Sequence, residues 1–330
     1  MERKLASVQK VEDVSPVENS DNLDVISVLG WKVVSVRGEF KPGDLCVYCE
    51  IDSVLPEREE FEFLRPRKFR IKTLKLRGQI SQGIAFPTTI LDEKYDVGTD
   101  VTEILEITKY DPPLPGELEG VAIGRRPYFV PKTSEPRIQS SPRMIKEFQD
   151  KEVYISTKID GTSCSIYYYT DHETPFGVCS RKTDLEKGGV YWDIANKYNL
   201  EEKIISNGFT DIVIQGELAG PKINKNRLNL KEPELFVFTI FFFREYRYAG
   251  LEEMRTICNL LGLKTVPIDE VTIFNFDIPS LLEKSKGFYP GTKNRREGIV
   301  IRPVTPIGLH SRDLLSVKVV NNDYLLKDED

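Results

Sequence analysis

The chain has 330 residues, 40% of them hydrophobic and 30% charged, and its formal net charge is −6. This composition is that of an ordinary globular protein with room for two domains, and the mildly acidic charge argues against a protein that coats polyanions without specificity. The five cysteines, sparse and odd in number, predict a reducing, cytoplasmic location, and the longest apolar run, residues 236–243, is too short to cross a bilayer, so no membrane partner is expected.

Short runs of strand-forming residues fill about the first hundred positions, with turn residues between them. They predict six strands, at residues 7–11, 23–28, 31–36, 45–51, 69–76 and 83–86. Several short strands in a segment of this length favour a small barrel, and an OB-fold is the natural choice. We therefore predict an OB-like β-barrel domain over residues 1–105.

A dense group of cations lies inside this predicted domain, at Arg65, Arg67, Lys68, Arg70, Lys72, Lys75 and Arg77. If the segment is a strand, alternation points Phe69 and Ile71 inward and the cations between them outward. The outward face would then bind phosphates, either of RNA or of a nucleotide. The alternative is a solvated strand whose charge is balanced by the acidic run at residues 57–62. The acidic balance of the whole chain favours phosphate binding.

Proline and glycine are frequent in residues 106–126, which we interpret as a linker. The following residues, 127–330, mix strand-like and helix-like runs without the regular alternation of a parallel βαβ fold. Strand-like runs lie at residues 153–159, 163–169, 177–181, 212–218, 235–243, 297–302 and 315–320, and helix-like runs at 190–205 and 251–261. The pattern predicts an α+β domain built on antiparallel sheets.

Two strand-like runs flank the short motif Lys158-Ile-Asp160-Gly161. Desolvation at the end of an apolar strand lowers the pKa of a lysine, and a divalent cation held with the help of Asp160 would lower it further. A free amine is a nucleophile, and Gly161 gives the turn room to bring a phosphate close to the backbone. The functional interpretation is a lysine that attacks the α-phosphorus of a nucleotide. The alternative is a hairpin turn that follows a surface lysine.

Other charged or aromatic residues interrupt or end the apolar strands that follow, at Arg181, Glu217, Phe238, Glu297 and Lys318. Several buried charges are costly in one domain unless they meet a ligand and a metal. Asp160, Glu217 and Glu297 are suited to organise a hydrated Mg²⁺ or Mn²⁺ ion. Arg181 and Lys318 are suited to neutralise phosphates, and Phe238 to stack on a purine. Taken singly, each residue is more often a core, turn or ion-pair residue.

This ordered set resembles the motifs of the covalent lysyl-nucleotidylate superfamily, which contains DNA ligases, RNA ligases and mRNA capping enzymes. The matching positions are Lys158-Ile-Asp-Gly161, Ser180-Arg181, Gly216-Glu217, Phe238, Glu297-Gly298 and Lys318. The OB-like segment precedes them, and the twelve residues after Lys318 leave no room for the OB domain that capping enzymes and typical DNA ligases carry there. This layout resembles the Naegleria-type RNA ligases, and Lys132-Thr133, Arg137 and Gln139 resemble the upstream signature of RNA ligases.

The resemblance implies ATP-dependent joining of RNA 3′-OH and 5′-phosphate ends through lysyl-AMP and AMP-capped RNA, in RNA repair. It implies that three carboxylates arrange metal-bound waters: Asp160, Glu217 and Glu297. It implies the nucleophile Lys158 and a group of ATP-contacting residues: Thr157 and Phe238 at the adenine, Glu217 and Arg181 near the ribose, Lys318 at the α-phosphate, and Arg137 and Gln139 of the upstream signature. The default oligomeric state is a monomer.

One departure from the family pattern concerns the last motif. Many relatives have Lys-x-Lys there, whereas this chain has Ser316 before Lys318 and Val320 after it. The departure weakens the expectation of full nick sealing more than that of self-adenylylation. Two alternatives stay open at this point, namely a DNA or mixed-strand ligase and a non-catalytic RNA-binding protein that uses the OB-like domain.

Overall fold

The structure is a computed structural model that describes residues 3–110, 121–309 and 313–327. These residues form two compact units, one of residues 3–110, 138–144 and 325–327 and one of residues 121–137, 145–309 and 313–324. Each unit contains antiparallel sheets accompanied by helices, which confirms the predicted α+β class. No helix within these ranges combines the length and apolar character that a membrane crossing requires.

The first unit is mostly β-structure. Its strands are β1 Ala6–Pro16, β2 Leu23–Val28, β3 Trp31–Val36, β4 Leu45–Cys49, β5 Ser53–Val54, β6 Thr73–Leu76, β7 Gln79–Gln82, β8 Ile84–Pro87 and β9 Thr108–Lys109. Five of them form an antiparallel sheet in the order β3-β2-β1-β4-β8. Strand β1 curls, because residues 6–10 pair with β4 and residues 11–16 pair with β2 across a register irregularity. The result is the predicted OB-like fold, in the form of a half-barrel.

The basic segment of this unit is not the continuous strand that the sequence predicted. A 3₁₀-helix occupies Glu59–Arg67, Lys68 and Phe69 have φ angles of 51° and 56°, and the strand begins only at Thr73. Pro66 explains part of the difference, because proline cannot donate to a β-ladder. Phe69 and Ile71 are buried, as predicted.

Two of the seven cations in this segment pair with carboxylates of the described residues. Arg65 donates to Glu62 at 2.7 Å and to Glu57 at 3.1 Å. Arg70 donates to Asp52 at 2.8 Å and stacks over the Tyr110 ring at 3.6 Å. The charge balance by residues 57–62 that we considered as the alternative therefore applies to Arg65, whereas Asp52, outside that run, balances Arg70.

The predicted linker, residues 106–126, contains a short strand near each of its ends. Strand β9 pairs with β5 of the first unit. Strand β10, Ala122–Arg125, pairs with β14, Thr183–Leu185, of the second unit. Residues 111–120 lie outside the described residues.

The second unit contains two main sheets. Its further strands are β11 Glu152–Lys158, β12 Thr162–Tyr168, β13 Phe176–Cys179, β15 Ile212–Ala219, β16 Glu234–Phe242, β17 Arg247–Tyr248, β18 Lys264–Thr265, β19 Ile268–Ile273, β20 Gly298–Pro303 and β21 Val317–Val320. The larger sheet has the order β10-β14-β13-β12-β15-β16-β17, with β18 parallel to β16, and the smaller sheet has the order β19-β11-β20-β21. Lys158 and Lys318 lie on strands of the smaller sheet, and Glu217 and Phe238 lie on strands of the larger sheet.

The helices are α1 Met144–Phe148, α2 Gly189–Lys197, α3 Leu200–Ser206, α4 Leu251–Leu261, α5 Ile278–Ser285 and α6 Asn322–Lys327. The prediction of a helix at residues 251–261 is confirmed, and Gly262 with φ of 74° ends it. The prediction of a single helix at residues 190–205 was wrong, because Asn199 adopts a left-handed φ of 52° and separates α2 from α3. Asparagine tolerates this conformation, so the apolar period continues while the helix axis breaks.

Candidate active site

The candidate nucleophile, Lys158, and a carboxylate, Glu297, meet at the end of two paired strands. Lys158 is the last residue of β11, and it stands opposite Gly298, the first residue of β20. Glu297 therefore lies next to Lys158 although it is 139 residues away in the chain. The Lys158 Nζ donates to the Glu297 Oε2 at 2.7 Å, and about a fifth of each side chain is exposed, 20% and 19%. The site is thus partly screened from water and still open to a ligand.

The pKa of Lys158 departs from the prediction. Burial favours the neutral amine, as expected, but the carboxylates of Glu297, Glu217 and Glu135 together outweigh burial, and the pKa of Lys158 is raised above its ordinary value. The predicted lowering is therefore wrong for the protein alone. A lysine in this setting becomes a nucleophile only when positive charge from outside the chain offsets these carboxylates.

Asp160 follows Lys158 and is held by a loop between β15 and β16. Asn224 donates to one oxygen of Asp160 at 3.0 Å, and the Arg227 Nε lies 3.0 Å from the other. Burial, and the nearby charge of Glu297, raise the pKa of Asp160. These two contacts fix the direction of the Asp160 carboxylate. Because Glu297 adds negative charge nearby, a bound cation would be stabilised at this position.

Gly161 is required here for a packing reason that was not predicted. A Cβ at this position would lie 2.3 Å from the carbonyl oxygen of Leu218. The glycine therefore lets the connection between β11 and β12 pack directly on β15. The predicted approach of a phosphate to this turn stays a prediction.

Glu217 and Phe238 come from the larger sheet. Burial raises the pKa of Glu217 to about 8, with Glu297 adding to the rise and Lys158 opposing it. Phe238 is the extra residue of a β-bulge, because Thr239 pairs with Gln215 whereas Val237 pairs with Gly216. Bulges redirect side chains and are frequent beside active sites. The Phe238 ring is half-buried and lies 5.5 Å from the guanidinium carbon of Arg302.

Lys318 lies on β21 of the smaller sheet, which β20 separates from the strand of Lys158. It pairs with Val300 across β20 and β21, and its amide donates to the Pro136 carbonyl at 2.9 Å. Arg137 forms a parallel bridge with it, which ties the upstream signature to the last motif. Burial, with repulsion from Lys158 and Arg137, lowers the pKa of Lys318 to about 7. A bound phosphate would return the charge to this lysine.

For three further residues singled out from the sequence, the structure gives no contact with Lys158 or the three carboxylates among the described residues. Arg181 is exposed in the bend after β13. Gln139 belongs to the first unit, where its side chain is buried and its carbonyl accepts from the Gly30 amide at 2.9 Å. Ser316, at the departure from the family pattern, is buried, and its hydroxyl has no hydrogen-bond partner among the described residues.

Two networks support the site without having been predicted. Arg302, 3% exposed, donates to Glu135 at 2.6 Å, and Arg302 and Lys318 keep the pKa of Glu135 low although burial opposes this. Arg296 donates to Asp269 at 2.6 Å and to the Thr157 hydroxyl at 3.2 Å, and that hydroxyl donates to Asp269 at 2.8 Å. Two signals in the sequence could have revealed these arginines. Arg302 is a charged residue within an apolar strand, and Arg296 directly precedes the motif residue Glu297.

The three carboxylates around Lys158 suit a divalent cation. Carboxylate oxygens are the donors that Mg²⁺ and Mn²⁺ prefer, and the negative charge of Glu297 raises the pKa of both Asp160 and Glu217. Among the described residues, no three His, Cys, Asp or Glu side chains are placed to bind one ion directly. A hydrated ion, which contacts carboxylates through its bound waters, does not need such a close cluster.

Gly298 sets the spacing of the strands that carry this site, and we expect Gly298→Ala to lower the free energy of unfolding by about 3 kcal/mol or more. Its φ is 150°, and a Cβ would lie 2.1 Å from the Val319 carbonyl oxygen. Urea denaturation of the variant and the wild type measures the difference.

The matched control for this substitution is Gly291→Ala. Gly291 has φ of 70° but nothing within 4 Å of a Cβ, so backbone strain alone should cost about 1 kcal/mol. Equal losses in the two variants would show that the contact with Val319 is relieved at no cost.

Fold and site together define the class: an OB-type unit combined with a nucleotidyltransferase domain that presents a lysine among carboxylates. A family model described as an OB-fold domain matches residues 5–88, and one described as RNA ligase matches residues 151–320. No curated protein sequence matches this chain.

Solved structures of the Naegleria gruberi RNA ligase are similar over nearly the whole chain. A mutant with ATP and Mn is 29% identical with a TM-score of 0.91, covering 99% of this chain and 100% of that chain. A mutant with AMP and Mn is 30% identical with a TM-score of 0.90, covering 98% of each chain. The ligase with PPi is 29% identical with a TM-score of 0.90, covering 99% of each chain. The chain belongs to the RNA ligase family, which confirms the predicted resemblance.

Proposed function

We propose that this protein is an ATP-dependent RNA ligase that joins a 3′-OH to a 5′-phosphate through a covalent lysyl-AMP on Lys158. One observation carries the proposal. The Lys158 Nζ lies 2.7 Å from Glu297 Oε2, at a site bordered by Glu217 on one sheet and Lys318 on the other. A nucleophile, carboxylates for a metal and a cation for phosphate are thus assembled in one place.

In the first step, the Lys158 Nζ attacks the α-phosphorus of ATP. A nitrogen–phosphorus bond forms, the bond from the α-phosphorus to the bridging oxygen breaks, and pyrophosphate leaves. Lys318 stabilises the charge that builds on the α-phosphate oxygens. Phe238 stacks on the adenine, and the main chain of Thr157 borders it. Glu217 and Arg181 contact the ribose, while Arg137 and Gln139 complete the ATP-binding set.

Mg²⁺ or Mn²⁺ belongs to this proposal because the donors fit it. Asp160, Glu217 and Glu297 would hold the ion through its waters. When bound, the cation supplies the positive charge that favours the neutral form of Lys158 and neutralises phosphate oxygens. The Naegleria gruberi structures with ATP and Mn, and with AMP and Mn, support this assignment.

In the second step, a 5′-phosphate oxygen of RNA attacks the phosphorus of lysyl-AMP, the nitrogen–phosphorus bond breaks, and AMP-capped RNA forms. In the third step, the RNA 3′-OH attacks the capped phosphate and AMP leaves. Within the basic segment, Arg67, Lys68, Lys75 and Arg77 are exposed and Lys72 half-exposed, which supports a contact with RNA phosphates. Arg65 and Arg70 contribute less, because carboxylates already neutralise them.

The cellular setting is part of the same proposal. The five cysteines are buried and unpaired, which supports a reducing, cytoplasmic location. We propose a monomer that acts in RNA repair.

Label transfer tests the proposal. The wild-type protein is incubated with Mn²⁺ and each of four α-labelled nucleotides, then denatured. We expect the protein-bound label to be released by acid and retained in alkali, as for a phosphoramidate, and we expect labelling with ATP but not with GTP, CTP or UTP. Absence of protein-bound label with all four would refute the covalent mechanism. Nicked duplexes with RNA or DNA on the 3′-OH side then separate an RNA ligase, which should prefer RNA, from a DNA or mixed-strand ligase.

A further inference from the structure

A buried tyrosine outside the motifs touches both residues of the Lys158–Glu297 pair. The Tyr289 hydroxyl donates to the Lys158 carbonyl at 2.8 Å and accepts from the Glu297 amide at 3.2 Å. Both contacts involve the main chain, just beyond Lys158 and Gly298, the last registered pair of β11 and β20. The hydroxyl therefore bridges the two strands at the point where their ladder ends.

The Tyr289 ring is held firmly enough to make this bridge a fixed distance. Tyr289 is 1% exposed and packs in an apolar cluster with Ile159, Ala219, Phe236 and Val266. Its amide donates to the Asn294 carbonyl at 3.0 Å. Its own carbonyl accepts from the Thr292 amide at 3.1 Å and from the Thr292 hydroxyl at 3.0 Å. The ring cannot follow a movement of either strand, so the strands are held to the ring.

We infer that Tyr289 is a positioning residue for self-adenylylation: its hydroxyl fixes the main chain at Lys158 and Glu297, and so holds the nucleophile and its carboxylate partner in register. Without the oxygen, one buried acceptor and one donor lose their partner at the same point. Lys158 and Glu297 would then sample more arrangements, and fewer of them would align the amine for in-line attack.

The inference rests on the proposed function and predicts which step depends on the bridge. In lysyl-AMP formation the Lys158 nitrogen forms the new bond, so its alignment determines the rate. In the joining of AMP-capped RNA, the 3′-OH is the nucleophile and no bond to Lys158 forms or breaks. Loss of the bridge should therefore slow the first reaction much more than the last.

The test uses Tyr289→Phe in the full chain, which removes the oxygen and keeps the ring. At saturating ATP we expect lysyl-AMP formation to fall about tenfold, the effect of one hydrogen bond on a rate. The ATP concentration for half-maximal rate should change less than about threefold, because the substituted oxygen bonds only to protein main chain. Joining of chemically prepared AMP-capped RNA should stay within about threefold of wild type, which also reports that the variant is folded.

The matched control is Tyr167→Phe. Tyr167 is also 1% exposed in the same unit, and its hydroxyl donates to Asp184 at 3.2 Å, away from Lys158. This variant should keep both reactions within about twofold of wild type. Equal losses of both reactions in Tyr289→Phe, or no loss of lysyl-AMP formation, would overturn the inference. A wild-type protein that joins AMP-capped RNA but takes up no AMP would instead contradict the proposed first step itself.

Discussion

Lys158→Ala is expected to abolish lysyl-AMP formation, with a fall of at least about 10⁴-fold in the rate, because the variant lacks the attacking nitrogen and no neighbouring group can replace it. Lys318, on β21, is separated from β11 by β20 and is assigned to the binding of phosphate. Label transfer from ATP, followed over time under single-turnover conditions, measures the rate.

The control for this variant is Lys264→Ala. Lys264 starts a short strand in the same unit, its side chain is 56% exposed, and it pairs with Glu234. Its removal should leave labelling within about twofold of wild type. If Lys158→Ala were labelled as fast as the wild type, the assignment of the nucleophile would be wrong.

Glu297→Gln should produce the next largest effect, a fall of about 10²- to 10³-fold in lysyl-AMP formation. Glutamine keeps the size and one oxygen of the side chain. It removes the negative charge that contacts the Lys158 Nζ at 2.7 Å and one of the three carboxylates suited to metal-bound water. Initial rates of label transfer at saturating ATP and Mn²⁺ measure the loss.

The pH dependence of this variant gives a second readout with a defined sign. Glu297 raises the pKa of Lys158, so removing its charge lowers that pKa, and the residual rate should reach its plateau at lower pH than in the wild type. Glu283→Gln is the control, because Glu283 is 73% exposed and pairs only with Lys286 in the described structure. A plateau at unchanged pH, with a rate near wild type, would remove Glu297 from the mechanism.

These strands were predictable because a short apolar run between turn residues is a local signal. The runs at residues 153–159 and 212–218 became β11 and β15 with small changes at the ends, and nearly every residue in both strands is buried. The prediction of a continuous strand in the basic segment was wrong because the spacing of the cations resembles a strand pattern whether or not the backbone is extended. The positive φ angles at Lys68 and Phe69 have no signal in the side chains.

The order of the motifs predicted the family, but the residues that support the site needed the tertiary structure. Tyr289 is 131 residues from Lys158 in the chain, and Arg302 is 167 residues from Glu135. No local pattern links positions so far apart, because Tyr289 and Glu135 lie on loops that only the tertiary fold brings to these strands. The pKa of Lys158 illustrates the same limit. Burial at the end of a strand was visible in the sequence, whereas the combined field of Glu297, Glu217 and Glu135 was not.

The most direct test of the covalent mechanism is mass spectrometry of the protein after incubation with ATP and a divalent cation. We predict a species heavier by one adenylyl group, and proteolytic fragments that carry this group on the peptide containing Lys158. A protein that never gains the adenylyl mass, or that carries it on a different residue, would contradict the account.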